Sequence, residues 1–439
     1  MKYHLIGIGG IGMSGLAEIL RQKGHKVKGS NIVKNENCER LEKSGIKIFY
    51  NHAKENIDGD EIVVYSSAIK DGNPELDYAK AIGLKVVPRG KMLSTTLKSK
   101  KLLAIAGSHG KTSSTSILGQ LVSEYDPMVI VGGIMDSWKS NIKLGKGEVA
   151  IVEVDESDNS FLYFKNAKYA IVTNIDYEHM DFHKNIQNLK ESFEQFINNS
   201  EVAVLNIDNS LLKEISGKTK CITYSLEENA DIRGKVVNDN SFEVIINNKN
   251  LGVFETNIKG NHNFSNLLPL IYVSLEMNIP LEKLKEKIKN LNVAKRRCEI
   301  IYDKELKIVD DCAHHPTEVV ASIQALSSYK PKRLVLIFQP HRYSRMSLVY
   351  NLFKNVFKDV DKLYITDIFS AGEENIYNIS THKIIDALEN KEEAIYIANR
   401  DQLLEMVKKE MKQGDLIAFM GLGDIHKEAY KLKEVLLNI

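Results

Sequence analysis

The sequence predicts an α/β protein built from several domains with largely parallel sheets. Short β-rich apolar runs alternate with helical patterns along the whole chain, as in YHLIGI, EIVVYSS, LLAIAG and RLVLIFQP. Two such runs end in glycine-rich loops that open a helical pattern, GIGGIG at residues 7–12 and AGSHGKTSS at residues 106–114. At 439 residues and 43% apolar content, the chain can supply two to four hydrophobic cores.

Composition narrows the classes of function. A formal net charge of +1 provides no global field toward nucleic acid or an anionic membrane. The longest apolar runs are strand-sized, short of the roughly 18 residues that span a bilayer. A glycine loop occupies the place where a signal peptide would carry its apolar core. The expectation is therefore a cytoplasmic chain with no nucleic-acid partner and no membrane insertion. Cys38, Cys221, Cys298 and Cys312 lie far apart without a C-x-x-C pair, so they suggest neither a disulfide framework nor a zinc site. Their expected role is that of small buried apolar residues.

The first block runs to residue 97. It contains YHLIGI, a helical pattern over 11–23 closed by Gly24, and the strand runs KVKG, IKIFY, EIVVYSS and LKVVP. The polar run Lys98 to Lys101 serves as a linker. The second block opens with LLAIAG and a helix from Thr112, continues through VAIVEVDES, YAIVTNI and VAVLNID, and includes a hairpin-like stretch at 230–258 punctuated by NDNS and NNKN. Helical patterns at 262–290 lead to a third alternating block: IVDD, RLVLIFQP, KLYITDI, EEAIYIA and DLIAFMG. Domains are expected at 1–97, 98–293 and 294–439.

In the first loop, Gly7, Gly9 and Gly12 fit G-x-G-x-x-G, which turns backbone N–H groups and a positive helix end toward a pyrophosphate. The NAD version needs an acid about 20 residues on, whereas here the second strand ends at Ser30 and Asn31. An NAD-dependent dehydrogenase is the alternative reading, and it leaves the second loop unexplained. In that loop Gly110 lets the backbone approach phosphate, Lys111 reaches the β and γ oxygens, and the Thr112 hydroxyl suits Mg²⁺. ATP is the natural ligand. Ile105 stands where the full phosphate-loop motif has its first glycine, so a variant class of nucleotide enzyme is expected. VEVDESDNSF places Glu153 or Asp155 at a strand end for the metal, and His179 lies just past the next strand end, where α/β sheets form their ligand crevice.

GIGGIGMSGLAEIL, SSAIKDGNPEL, GSHGKTSST, VEVDESDNSFL, VTNIDYEHMDF, GNHNFSN, KRRCEII, DDCAHHPTE and FQPHRYSR occur in that order. With these motifs the chain resembles the Mur ligase family over nearly all of its length. DDCAHHPTE combined with FQPHRYSR resembles the alanine-adding pattern; a relative that recycles murein peptide shares AHHPT but typically lacks PHRYSR. The resemblance implies three domains: a Rossmann-like UDP-binding domain, a central P-loop-type ATPase and a C-terminal Rossmann-like domain. It implies an ATP-dependent ligase that joins L-alanine to the lactyl carboxylate of UDP-N-acetylmuramate through an acyl phosphate. The implied cofactor metal is Mg²⁺ or Mn²⁺, the setting is peptidoglycan precursor synthesis, and the assembly is a monomer or homodimer. A related family ligase with another amino acid or a recycled murein peptide as acceptor is the alternative.

Residue by residue, the resemblance assigns Gly107, Ser108, His109, Gly110, Lys111, Thr112 and Ser113 to the ATP phosphates, and Thr112, Glu153 and His179 to metal. His262, Asn263 and Asn266 are assigned to the adenine region, Asp311 to the ATP ribose and Arg297 to the γ-phosphate. Lys111, Glu153, His179 and Arg297 form the catalytic set. Gly9, Gly10, Ile11, Gly12, Ser66 and Ser67 are assigned to UDP-N-acetylmuramate, and His314, Arg342 and Arg345 to L-alanine. Without the resemblance, GNHNFSN reads as a polar loop with Asn263 or Ser265 capping a helix, Arg296 and Arg297 as a solvated pair, and Pro316 as the first residue of a helix. Three positions depart from the family pattern: Asn31 for aspartate, Cys298 for phenylalanine and Cys312 for tyrosine. The two cysteines remove aromatic bulk, and Cys312 is expected to loosen the amino-acid pocket toward serine and glycine.

Overall fold

Three sheets organise the chain in a computed structural model that describes residues 1–135, 138, 140–291 and 295–437. β1 (Lys2–Ile6), β2 (Lys26–Ser30), β3 (Lys47–Phe49), β4 (Ile62–Tyr65) and β5 (Val86–Pro88) are all parallel, in the order β3-β2-β1-β4-β5. The order reverses at β1, so a crevice opens at its carboxyl end. The helix Ile11–Gln22 follows β1 and buries Met13, Leu16, Ala17, Ile19 and Leu20; Gly24, at φ +80°, takes the left-handed turn that ends it.

The second sheet contains β6 (Lys101–Ala106), β7 (Met128–Met135), β8 (Ser140–Lys143), β9 (Val149–Glu153), β10 (Tyr169–Val172), β11 (Ala203–Asn206) and β12 (Ile222–Ser225). They run in the order β12-β11-β10-β6-β9-β7-β8, parallel except for the β7–β8 pair. The hairpin-like stretch is β13 (Ile232–Asn238), β14 (Ser241–Ile246) and β15 (Lys249–Glu255). The third sheet takes β16 (Glu299–Asp303), β17 (Lys307–Asp311), β18 (Arg333–Phe338), β19 (Lys362–Ile365), β20 (Ala394–Tyr396) and β21 (Asp415–Met420) in the order β16-β17-β21-β18-β19-β20. It is parallel apart from β16, and separate apolar clusters around Leu336 and Ile337 show that side chains pack on both faces.

The chain packs as two compact units. One comprises Met1–Arg233, Ile245–Lys249 and Leu267–Lys287; the other comprises Gly234–Val244, Asn250–Asn266 and Ile288–Ile439. In the first unit one apolar cluster runs from Leu5 and Leu16 through Leu93 and Leu97 to Ala104, Val152 and Phe193, so the first two sheets share a continuous core. No helix among the described residues is long and apolar enough to cross a membrane.

Several expectations need adjusting. Lys101 is the first residue of β6, where its N–H donates to the Glu148 carbonyl at 2.7 Å, so the irregular link is Lys98–Lys100. The helix after the second loop starts at Lys111 rather than Thr112. The 262–290 stretch is two helices, Asn261–Glu276 and Leu281–Lys289, parted by Asn278 at φ +62°. Asn263 and Ser265 lie inside the first of these and do not cap it. The boundary expected between residues 293 and 294 lies outside the described residues.

Candidate active site

The second glycine loop is locked before any ligand reaches it. Gly107 adopts φ +136°, and a Cβ there would collide with the Thr173 hydroxyl, so only glycine fits. Gly110 adopts φ +82° at the helix start. The loop is fastened to the segment after β10: Ser108 N–H donates to the Asn174 carbonyl at 3.0 Å, His109 N–H to Asn174 Oδ1 at 2.8 Å, and Thr173 Oγ1 to the His109 carbonyl at 2.6 Å. Asp176 N–H donates to Ser108 Oγ at 2.8 Å, and its carboxylate lies 3.0 Å from His109 Nε2. Two residues expected at phosphate thus spend side-chain contacts shaping the cradle.

The register of β6 against β9 sets Glu153 beside Ile105, one residue short of the end of β6. Thr112 Oγ1 donates to Glu153 Oε1 at 3.0 Å, and Gly132 N–H to Glu153 Oε2 at 2.5 Å. Lys111 Nζ reaches Glu156 at 2.6 Å and the Gly107 carbonyl at 2.5 Å. Burial opposes the Lys111 charge, but Glu156 outweighs it and the ammonium is held above its usual range. Burial pushes Glu156 up to about 7, against the pull of Lys111. His179 Nε2 lies 3.8 Å from both Glu156 and Glu178. Glu156 is the residue that sequence reasoning missed: it was visible in VEVDESD, but nothing there distinguished it from its acidic neighbours. The donor set of hydroxyl and carboxylate oxygens suits a hard divalent cation. Glu156 Oε2 adds a buried acceptor with no hydrogen-bond partner among the described residues.

The first loop behaves differently from its motif. Gly7 and Ile8 N–H groups both donate to the Ser30 carbonyl, at 2.8 and 2.9 Å, and Gly10 N–H returns to Gly7 at 3.1 Å. Gly9 N–H is taken by Asn31 Oδ1 at 3.2 Å, while its carbonyl accepts from Asn35 and Asn37 at 3.2 and 3.0 Å. Gly9 and Gly10, expected to donate to substrate, are internally bonded; Ile11 and Gly12, in the first helical turn, keep N–H groups without an acceptor among the described residues. Asn31, the departure from the family pattern, therefore acts as a lock on the loop. Ser66 follows β4 beside Gly7, with its Cβ 3.4 Å from where a Gly7 side chain would start, and Ser67 is exposed next to it.

The second unit gathers the remaining candidates. Burial drives the His262 imidazole down to about 4, while the nearby Asp311, Arg297 and Glu318 charges act on it in both directions. Asn266 is buried, and Asn263 Nδ2 donates to the Lys259 carbonyl at 2.7 Å. Asp311, expected at the ribose, accepts on Oδ2 from Cys298 N–H at 3.1 Å, Cys298 Sγ at 2.9 Å and Ser322 Oγ at 2.9 Å, and on Oδ1 from Ala313 N–H at 2.7 Å. Three of these contacts fall on Oδ2, so Oδ1, with one donor, keeps an acceptor position. The two arginines divide: Arg296, at φ +58°, straps Asp310 and the Gly421 carbonyl, whereas Arg297 lies 3.8 Å from Glu318.

His314 Nδ1 lies 2.9 Å from the Cys312 carbonyl and 3.2 Å from Glu318, and its ring meets His341 edge-on at 5.6 Å. Arg345 Nη1 lies 3.2 Å from His341 Nδ1. Burial lowers His341 to about 3, helped by His314, Arg345 and Arg342. Arg342, assigned with Arg345 to L-alanine, precedes the helix Tyr343–Val349 at φ +64° and is clamped by Glu373 at 2.5 Å. Glu373 also accepts from Ser344 N–H and Oγ. His341 and Glu373 are further residues of this cluster that sequence reasoning left unassigned.

Comparison with known proteins covers the same ground. Three family models match: "Mur ligase family, catalytic domain" over residues 2–101, "Mur ligase middle domain" over 105–273, and "Mur ligase, glutamate ligase domain" over 296–423. The UDP-N-acetylmuramate–L-alanine ligase of Fusobacterium nucleatum is 40% identical, covering 99% of this chain and 97% of its own. That of Aquifex aeolicus is 41% identical, covering 100% and 98%. Among solved structures, the UDP-N-acetylmuramate-alanine ligase of Thermotoga maritima superposes with a TM-score of 0.83 at 26% identity, covering 100% of this chain and 99% of its own. A murein peptide ligase from Psychrobacter arcticus shares the fold, with a TM-score of 0.70 at 20% identity over 100% of this chain and 99% of its own.

Proposed function

The chain belongs to the Mur ligase family, and on that premise we propose that it joins L-alanine to the lactyl carboxylate of UDP-N-acetylmuramate at the expense of ATP. The observation that carries the chemical reading is the paired arrangement at the phosphate loop, Thr112 on Glu153 and Lys111 on Glu156. A carboxylate does not acylate an amine at neutral pH, so the reaction runs through an acyl phosphate, and phosphoryl transfer asks chiefly for positioning and charge neutralisation. Lys111 exchanges Glu156 for the β and γ phosphates. Thr112 and Glu153, with His179 near Glu156, would hold Mg²⁺ or Mn²⁺, which when bound neutralises developing phosphate charge. Arg297 meets the γ-phosphate, and His262, Asn263 and Asn266 meet adenine. Asp311 holds the turn at Cys298 through Oδ2 and meets the ATP ribose through Oδ1, which keeps an acceptor position. Ile11 and Gly12 donate to the UDP diphosphate with Ser66 and Ser67 nearby, and His314 and Arg345 receive alanine.

The domain limits 1–97, 98–293 and 294–439 follow this division of labour, and we take the chain to act in the cytoplasm as a monomer or homodimer. ADP release from ATP is the test, run with UDP-N-acetylmuramate alone, with L-alanine, and with a murein tripeptide. Release that requires L-alanine and yields the alanyl product supports the reading; equal or better use of the tripeptide, or reduction of NAD in place of ADP release, overturns it.

A further inference from the structure

Gly12 has no side chain because an arginine occupies the space. A Cβ on Gly12 would lie 2.7 Å from Arg89 Nη1 and 3.2 Å from its Cζ. Arg89 begins the helix Arg89–Leu97 after β5, far from the glycine loop in sequence. Its other terminal nitrogen, Nη2, lies 3.9 Å from Asp155 Oδ2. Asp155 follows β9 between Glu153 and Glu156, and Lys111 and Arg89 both help hold its carboxyl below the usual range against burial. The mounting is tight: a Cβ on Gly90 would meet Ser160 Cβ at 2.6 Å, and Ser94 Oγ donates to the Tyr163 carbonyl at 2.6 Å. One guanidinium thus has one nitrogen at the first turn of the helix Ile11–Gln22, beside the unsatisfied N–H groups of Ile11 and Gly12, and the other at the acid loop.

We infer that Arg89 is a binding and positioning residue of this enzyme: it takes a diphosphate oxygen of the UDP-sugar on Nη1 and keeps Asp155 on Nη2. A planar fork can serve two anions at once, which a lysine ammonium does less well. Occupation of the first loop is thereby joined to the loop that carries Glu153 and Glu156. The inference rests on the proposed UDP-sugar reading.

The test uses the full chain, with titration calorimetry of UDP and of UDP-N-acetylmuramate and with acyl phosphate formation at saturating substrate. Arg89→Met weakens UDP and UDP-N-acetylmuramate to a similar extent, about ten- to a hundredfold. Arg89→Lys recovers part of the affinity but leaves the saturated rate of acyl phosphate formation depressed. Gly12→Ala, whose added carbon displaces the Arg89 side chain, weakens UDP in the parent and adds little on top of Arg89→Met, the non-additivity expected of one shared contact. UDP affinity within about twofold of the parent in Arg89→Met, or a fully additive Gly12→Ala, overturns the inference while the ligase reading stands. A loss confined to UDP-N-acetylmuramate assigns the guanidinium to the lactyl carboxylate and likewise overturns the diphosphate contact. A parent chain that binds neither ligand overturns both readings.

Discussion

At the scale of single residues, the Lys111–Glu156 pair shows how stability and activity are divided. Both side chains are taken from water, Glu156 almost completely, so removing Lys111 leaves a buried carboxyl without its partner and costs stability. Lys111→Met should therefore lower the melting temperature and abolish acyl phosphate formation. The double variant Lys111→Met/Glu156→Gln should recover most of the melting temperature and none of the activity, with UDP-N-acetylmuramate affinity near the parent throughout. Recovery of turnover to within about tenfold would contradict a phosphate role worth several kcal/mol. Lys111 was legible in the sequence because its chemistry is local, one residue from Gly110 and one from Thr112. Glu156 was not, because its partner is 45 positions away and only the β6–β9 register brings them together. Cys312 lies between these cases: it is buried, and its carbonyl holds His314, so a change of bulk there reaches an amino-acid candidate. Cys312→Tyr should raise the alanine-to-serine ratio of kcat/KM, by at most about ten- to two-hundredfold since a small apolar difference discriminates by only about 1 to 3 kcal/mol. An unchanged ratio removes Cys312 from the pocket.

At the scale of elements, the strands that follow long apolar runs were legible, and those that depend on partners were not. β7 carries the Gly132–Gly133 pair, which weakens any strand pattern, yet its Gly132 N–H fixes Glu153. Asn31 looked like a missing acid, and proves to be the clamp on Gly9. The carboxyl ends of the first sheet depend on a similar buried contact. Glu75, in the first turn of the helix Pro74–Ala81, accepts from Ser30 Oγ at 2.5 Å and Asn56 Nδ2 at 2.5 Å, and lies 3.4 Å from His4 of β1. Burial alone would raise this carboxyl; the His4, Ser30 and Asn56 contacts outweigh it and hold it near 2, against an ordinary value of 4.5. The stabilisation is thus fully present above about pH 4.5 and is lost as pH falls toward 2. Glu75→Gln should be less stable than the parent at pH 7 by about 3 kcal/mol, and the two should converge as urea unfolding is repeated at lower pH. A gap that stays constant between pH 7 and pH 3 would show that the charge of Glu75 contributes nothing.

At the scale of the whole molecule, the residues proposed for phosphoryl transfer and for alanine fall in different units. The first holds the two glycine loops and the acids around Lys111; the second holds His262, Arg297 and the cluster of His314, His341 and Arg345. If the reaction proceeds by acyl phosphate and then amine attack, damage to the amino-acid cluster should spare the first step. Arg345 is the residue on which to test it. Arg342 is neutralised by Glu373, so Arg342→Met chiefly releases that clamp and lowers stability. Arg345 contacts His341, a buried imidazole of the same cluster as His314. A planar guanidinium matches the carboxylate of free alanine, and such a charge-assisted contact is worth roughly 1.5 to 3 kcal/mol. Arg345→Met should therefore raise the apparent KM for alanine about ten- to a hundredfold. Hydroxamate formation, with hydroxylamine replacing alanine, should stay near the parent because ATP and UDP-N-acetylmuramate do not depend on Arg345. If hydroxamate formation falls as far as alanine ligation, Arg345 serves phosphoryl transfer or the fold, and alanine binds elsewhere in the second unit.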